Sequence, residues 1–132
     1  MSYLLDTHAL IWAITERDKL SPIVRRTLED ADNEIFVSVI TFWEIALKFS
    51  TGKMKLFDLL PEQFPEFALE MGFQLLPLSF NDSALYYKLP VTAHKDPFDR
   101  MLIWQAIQKN LSFISLDNRL KEYHSIGLKT LW

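Results

Sequence analysis

Short apolar runs alternate with segments of helical periodicity along the whole chain. The runs that predict strands are residues 3–5, 35–39, 73–78, 111–116 and 128–131. Between them, apolar positions three and four residues apart predict helices that begin near Thr7, Ser21, Thr41, Pro61, Ser79 and Asp96, with a short helical turn at Asp117. This alternation predicts an α/β fold with a central, mostly parallel sheet of about five strands flanked by helices.

Several predicted helices carry a capping signal at their first residues. Ser21 and Asp96 each precede a proline, which is the usual order of an N-cap followed by the first helical position. Thr7 is the expected N-cap of the first helix, and Thr41 with Glu44 has the spacing of a capping box. The sequence therefore places a helix start directly after each of the first two strands.

Composition narrows the class of protein. The 132 residues predict one domain, 1–132, and the absence of cysteine excludes disulfides, thiol nucleophiles and cysteine metal sites. A net charge of −3 argues against a broad basic face for binding nucleic acid, so any such contact must be local. The apolar runs are too short for a membrane span, and the N-terminus lacks the early positive charge of a signal peptide. We therefore expect a cytoplasmic protein without a membrane partner.

Four acidic residues fall at one predicted edge of the sheet. Parallel strands joined by right-handed crossovers place their carboxyl ends together, and Asp6, Glu44, Asp99 and Asp117 all lie near such ends or at adjacent helix starts. Two carboxylates 4 Å apart repel by about 4 kcal/mol at an effective dielectric near 20, so such a cluster calls for a cation. Oxygen ligands favour Mg²⁺ or Mn²⁺, and this arrangement suits a metal-activated water that attacks a phosphodiester.

Each acid also has a structural interpretation. Glu44 and Asp99 stand where a helix dipole favours negative charge, and Asp117 could simply belong to a turn. Asp6 follows a buried strand and has no capping role more obvious than that of Thr7. Independent capping does not require all four acids to converge, and this convergence favours a chemical role.

Four segments resemble the motifs of a known family. Residues 4–8 (LLDTH), 43–45 (WEI), 94–103 (HKDPFDRMLI) and 114–117 (ISLD) resemble the PIN domain, and more narrowly the VapC-type toxin ribonucleases. The resemblance implies a three-layer PIN-like fold with strand order 3-2-1-4-5. It also implies an Mg²⁺-dependent endoribonuclease, neutralised by an antitoxin protein and forming a homodimer, in which four acids bind the metal: Asp6, Glu44, Asp99 and Asp117.

The chain departs from the family pattern at two positions. His8 stands where many relatives have serine or threonine, and Ser115 where they have threonine, although Ser115 keeps the hydroxyl group. Asp96 is a rival to Asp99, but its capping position makes it the structural acid of the two. The residues considered for supporting contacts around the metal are Thr7, His8, Asp96, Arg100 and Ser115.

Other residues have a second interpretation. The three histidines lack a zinc-binding spacing, so solvated or locally bonded side chains are expected. The aromatic residues at helical spacing are expected in the core: Trp12, Trp43, Phe98 and Trp104. The basic residues that could either contact phosphate or lie on solvated faces are Lys48, Arg100 and Arg119. The segment 54–71 could bind a partner or a second copy, or belong to the core.

Two other functions compete with the ribonuclease. A phosphotransfer domain also places an aspartate after its first strand, here Asp6, but it would need a second acid where His8 stands or paired acids beforehand. A catalytically inactive PIN-like module that only binds a partner is disfavoured because all four acids are present.

Overall fold

The computed structural model describes residues 1–132, and a five-stranded sheet forms its centre. The strands are β1 (Ser2–Leu5), β2 (Glu34–Ser38), β3 (Gln74–Leu76), β4 (Ser112–Ile114) and β5 (Lys129–Leu131). They lie in the order β3-β2-β1-β4-β5, and every neighbouring pair is parallel. Both the predicted α/β sheet and the strand order implied by the family resemblance are confirmed.

Helices connect all the strands. The α-helices are α1 (Thr7–Thr15), α2 (Pro22–Glu29), α3 (Val39–Ser50), α4 (Gln63–Glu70), α5 (Phe80–Leu85) and α6 (Pro97–Gln108). Three segments form 3₁₀ helices: Arg17–Lys19, Tyr86–Lys88 and Asn118–Ile126. None of the helices has the length and apolar character that crossing a membrane requires.

Two apolar clusters pack on opposite faces of the sheet. Leu5 belongs to the cluster that contains the buried residues of α1, α2 and α4, while Leu4 belongs to the cluster built on α6 and the last 3₁₀ helix. Successive side chains of a strand point to opposite faces, so the two neighbouring leucines, both fully buried, serve the two cores. The fold therefore has three layers, with the sheet between two sets of helices.

The register of the central strands fixes the position of the predicted acids. Leu5 pairs with Ile114, and the backbone N–H of Asp6 donates to the Ile114 carbonyl at 3.0 Å. Strands β1 and β4 consequently end side by side, which brings Asp6 next to the segment that leads to Asp117.

Two of the predicted caps are wrong. Asp6, and not Thr7, caps α1, because its carboxylate accepts the Ala9 N–H at 2.7 Å. Helix α3 begins at Val39 with Ser38 as its N-cap, so Thr41 lies inside the helix and forms no capping box with Glu44. Because Val39 is β-branched, the predicted strand extends one residue beyond the observed end of β2 at Ser38. The predicted helix start therefore lies at Thr41, after the observed start at Val39.

The predicted caps of α2 and α6 are confirmed. Ser21 accepts the Val24 N–H, and Asp96 accepts the Asp99 N–H at 3.0 Å. In both helices proline is the first residue. The second of these caps places Asp99 in the first turn of α6, where it faces the edge of the sheet.

Candidate metal centre

Three of the predicted acids line one cleft at the carboxyl edge of the sheet. The cleft has a volume of about 370 Å³, and Asp6, Asp99 and Asp117 contribute to its wall. They come from the end of β1, the first turn of α6 and the segment after β4. His8 and Ser115, two of the residues considered for supporting contacts, line the same cleft. Remote parts of the chain thus meet in one acidic pocket.

Asp6 is the acid most affected by burial. Desolvation raises the pKa of Asp6 to about 6, against the lowering effect of hydrogen bonds from the Ser115 side chain and the Ala9 backbone. His8 lowers this pKa as well, whereas the negative charge of Asp99 raises it. A bound cation would relieve the repulsion between Asp6 and Asp99, so the electrostatics favour a positive charge between these carboxylates.

Asp6→Asn is expected to stabilise the metal-free protein at pH 7.5 by about 1–3 kcal/mol, because a rise in pKa from 3.8 to about 6 corresponds to about 3 kcal/mol. The folded state binds this proton more tightly than the unfolded state does, so stability falls as the pH rises from about 4 to about 6 and stays low above it. Asparagine keeps the N-cap but never ionises. Urea denaturation in EDTA should show a gain at pH 7.5 that disappears near pH 4; a gain independent of pH would contradict this origin.

Asp99 stands where two groups of metal-ligating atoms meet. One group consists of Glu44, Asp96 and Asp99, the other of His94, Asp99 and Asp117, and the donor atoms within each lie within 4.8 Å of one another. Burial, followed by the charges of Asp96 and Glu44, raises the pKa of Asp99, while His94 acts in the opposite direction. Asp96 therefore has two roles, since its carboxylate caps α6 and also adds charge to the cluster.

Glu44 lies behind the cleft and does not line it. Its side chain is 2% exposed and accepts the Thr7 hydroxyl at 2.5 Å. Lys48, one turn further along α3, forms an ion pair with the other carboxylate oxygen. Burial lowers the pKa of Lys48, but the hydrogen bond to Glu44 and the charges of Glu44, Asp96 and Asp99 raise it overall. The charge of Glu44 is thus paired with that of Lys48, and Lys48 is neither free for phosphate nor on a solvated face.

Lys48→Met should lower the free energy of unfolding by about 2 kcal/mol, because it leaves the buried Glu44 without its counter-charge. Adding Glu44→Gln to this variant removes the uncompensated charge and should recover most of the loss. Lys53→Met, at an exposed lysine shortly after α3, is the matched control and should change stability by less than about 0.5 kcal/mol. Urea denaturation of the three variants measures these effects, and equal destabilisation of the single and double variants would contradict the explanation.

Asp117 pairs with an exposed arginine at the rim of the cleft. Arg119 donates to both carboxylate oxygens, at distances of 2.8–3.2 Å, and this contact lowers the pKa of Asp117. The Ser115 hydroxyl accepts the Asp117 N–H at 3.1 Å and so fixes the turn after β4. Since the Arg119 side chain is 63% exposed, it is free to exchange this carboxylate for another anion.

His94 is the site residue that sequence reasoning missed. Its side chain is completely buried, with Nε2 3.3 Å from Asp99 and 3.9 Å from Asp117. His94 is therefore a locally bonded histidine, which is one of the two environments expected for the histidines, and it is not solvated. Its position two residues before the N-cap of the acid-bearing helix was the signal that could have identified it.

Arg100 and one tryptophan differ from expectation. Arg100 is only 8% exposed and donates to the hydroxyl groups of Tyr86 and Tyr123, so it lies neither among the metal-binding groups nor on a solvated face. Trp104 is buried as expected, and Trp12 packs against the core, but Trp43 is 59% exposed and contacts Phe98 edge to face. Helical spacing alone could not distinguish the outer from the inner side of α3.

The donor set of the cleft fits a divalent cation. Asp6, Asp99 and Asp117 provide carboxylate oxygens from three separate elements, and Asp99 is repelled by its acidic neighbours. Hard oxygen ligands suit Mg²⁺ or Mn²⁺, which commonly retain water and take further ligands from substrate phosphate. The geometry is therefore suited to chemistry at a phosphodiester.

The chain is similar to known proteins along nearly its whole length. Residues 3–125 match the family model of the PIN domain. Ribonuclease VapC22 of Mycobacterium tuberculosis is 26% identical over an alignment of 134 positions, which covers 98% of this chain and 97% of that protein. A crystal structure of VapBC2 from Rickettsia felis, bound to a DNA fragment from their promoter, has a TM-score of 0.70 at 17% identity, covering 99% of this chain and 98% of that one. A toxin-antitoxin complex from Klebsiella pneumoniae has a TM-score of 0.61 at 21% identity and covers 98% of this chain and 96% of that one. Since the family model spans nearly the whole sequence, the chain belongs to the PIN domain family.

Proposed function

We propose that the protein is a metal-dependent endoribonuclease that acts as the toxin of a toxin-antitoxin pair. The observation that carries this proposal is the convergence of Asp6, Asp99 and Asp117 in one cleft of a PIN domain. The similarity to a ribonuclease over almost the whole chain supports RNA as the substrate. Mg²⁺ is the proposed cofactor, with Mn²⁺ as its alternative, and the cytoplasm is the proposed location.

Four acids would hold the cation: Asp6, Asp99 and Asp117, which line the cleft, and Glu44, whose carboxylate lies in one group of possible metal ligands with that of Asp99. A divalent cation at this position would activate a water molecule and neutralise charge on the phosphodiester. With a pKa of about 6, Asp6 is mostly ionised at neutral pH and is therefore ready to bind a cation. Arg119 at the rim is placed to pair with a phosphate of the RNA.

An apolar surface on α3 supports the proposed protein partner. Val39, Trp43 and Leu47, one helical turn apart, are each more than 40% exposed. A patch of this kind on a small domain suits a protein interface, and one similar solved structure is a toxin-antitoxin complex. An antitoxin is the proposed partner of this α3 surface.

The segment 54–71 contains both buried and exposed residues. Phe64 is buried, whereas Phe57 is 63% exposed, so the core and the surface interpretations of this segment each hold in part. We propose a homodimer contact through the exposed side of the segment 54–71.

Cleavage of total cellular RNA by the purified protein tests the proposal. We expect EDTA to abolish cleavage and either Mg²⁺ or Mn²⁺ to restore it, with discrete cut sites on sequencing of the new RNA ends. An absence of cleavage, together with an absence of saturable Mn²⁺ binding, would support the inactive partner-binding module instead. Incorporation of phosphate from acetyl phosphate at Asp6 would favour the phosphotransfer domain, since a nuclease forms no aspartyl phosphate.

A further inference from the structure

His94 joins the acidic cleft to a buried hydrogen-bond network. Its Nε2 atom faces Asp99 Oδ2 at 3.3 Å and Asp117 Oδ2 at 3.9 Å, while Nδ1 lies 3.5 Å from the Tyr123 hydroxyl. Tyr123 in turn accepts an N–H of Arg100 at 2.9 Å and lies 2.9 Å from the Thr92 hydroxyl. The imidazole is thus held on one side by the core and presents its other nitrogen to two carboxylates.

The network provides a hydrogen-bond acceptor for either nitrogen of His94. The Thr92 hydroxyl lies 3.2 Å from the His94 carbonyl and can donate to it, which leaves the Tyr123 hydroxyl to donate to Thr92. The Tyr123 oxygen then accepts from both Arg100 and His94 Nδ1. In the other tautomer, Nε2–H donates to Asp99 at 3.3 Å and Tyr123 donates to Nδ1, which leaves one of the two Thr92 contacts without a hydrogen. Both tautomers therefore make the same number of hydrogen bonds, and the one with its proton on Nδ1 leaves the Nε2 lone pair free for a metal ion.

In the tautomer with its proton on Nδ1, the Nε2 lone pair faces two carboxylate oxygens, and a metal ion can take the place that a proton on Nε2 occupies in the metal-free protein. Separations of about 3–4 Å are those of neighbouring ligands on one ion whose bonds are about 2.1 Å long. Histidines that bind a metal usually donate their other N–H to a fixed acceptor, as His94 does to Tyr123 in this assignment.

We propose that His94 is itself a metal ligand through Nε2, together with Asp99 and Asp117, and that the site therefore binds Mn²⁺ more tightly than Mg²⁺. Imidazole nitrogen strengthens binding of first-row transition metals, whereas Mg²⁺ favours oxygen ligands. The exposed Arg119 would have to release one oxygen of Asp117 when the ion binds. This inference rests on the proposed metal site and specifies its ligand and its preferred ion.

Electron paramagnetic resonance of the Mn²⁺-loaded protein tests the ligand directly. We expect the electron spin-echo modulation to show coupling to ¹⁴N, replaced by ¹⁵N coupling when the protein contains ¹⁵N-labelled histidine. This measurement uses the unaltered protein, so it does not depend on how a variant folds. Saturable Mn²⁺ binding without nitrogen coupling would overturn the inference and leave the proposed ribonuclease intact, whereas an absence of Mn²⁺ binding would overturn both.

Variants then identify the histidine. His94→Gln should remove the nitrogen coupling and weaken Mn²⁺ binding about tenfold or more, while Mg²⁺ affinity, measured by competition, changes less than about threefold. His8→Gln, at an exposed residue of the same cleft, is the matched control and should keep the coupling. Loss of coupling in His8→Gln but not in His94→Gln would overturn the assignment. An unchanged ratio of Mn²⁺ to Mg²⁺ affinity in a folded His94→Gln protein would do the same.

Discussion

Asp99→Asn is expected to reduce metal-dependent RNA cleavage at least about a hundredfold while leaving the fold intact. Asp99 belongs to both groups of metal-ligating atoms, so removal of its charge weakens metal binding by each group. The side chain is 28% exposed and the α6 cap uses only its backbone N–H, which asparagine retains. Single-turnover cleavage of a labelled RNA in Mg²⁺ measures the loss, with circular dichroism and thermal melting as tests of folding.

Asp6→Asn should lower cleavage to a similar extent, although it stabilises the metal-free protein at neutral pH. Opposite effects on stability and activity would separate a chemical role of this carboxylate from a structural one. Asp18→Asn, at an exposed acid in the 3₁₀ helix after α1, is the matched control and should retain full activity. If both site variants cleave RNA within about threefold of the unaltered protein, the metal-centre assignment is wrong.

The position of the acids could be predicted because it follows from local patterns and general topology. The apolar runs locate the strand ends, and parallel pairing brings those ends to one edge, where Asp6 and Asp117 indeed lie together. The start of α6 could also be predicted, since Asp96 followed by a proline is typical of a helix start. These features depend on neighbours within a few residues or on rules that apply to all parallel sheets.

The immediate surroundings of the acids could not be predicted in the same way. The buried His94 lies next to Tyr123, and the buried Glu44 accepts a hydrogen bond from Thr7. Because these partners are far apart in sequence, local patterns do not indicate them. The N-cap of α1 is Asp6, although Thr7 was predicted, and this error has another cause. Both residue types can cap a helix, and only the strand register decides between them.

Arg100 illustrates the same limit and carries the largest expected effect on stability. Its guanidinium donates to the hydroxyl groups of Tyr86 and Tyr123 and to the carbonyl groups of Leu89 and Pro90. Burial lowers the pKa of Arg100, but these tyrosine contacts raise it overall, so the charge is retained. The side chain therefore ties α6 to the loop before it and to the last 3₁₀ helix. Nothing in the local sequence around Arg100 indicates these partners.

Arg100→Ala is expected to lower the free energy of unfolding by about 3–5 kcal/mol, because it leaves two hydroxyl groups and two carbonyl groups without their donor. Arg100→Lys should recover only part of this loss, since an ammonium group cannot reproduce the planar fork that reaches all four acceptors. Arg26→Ala, at an exposed arginine of α2, should change stability by less than about 0.5 kcal/mol. Urea denaturation at pH 7 provides the comparison. Equal stability of the Lys variant and the unaltered protein would show that charge, and not the directed hydrogen bonds, is what this network requires.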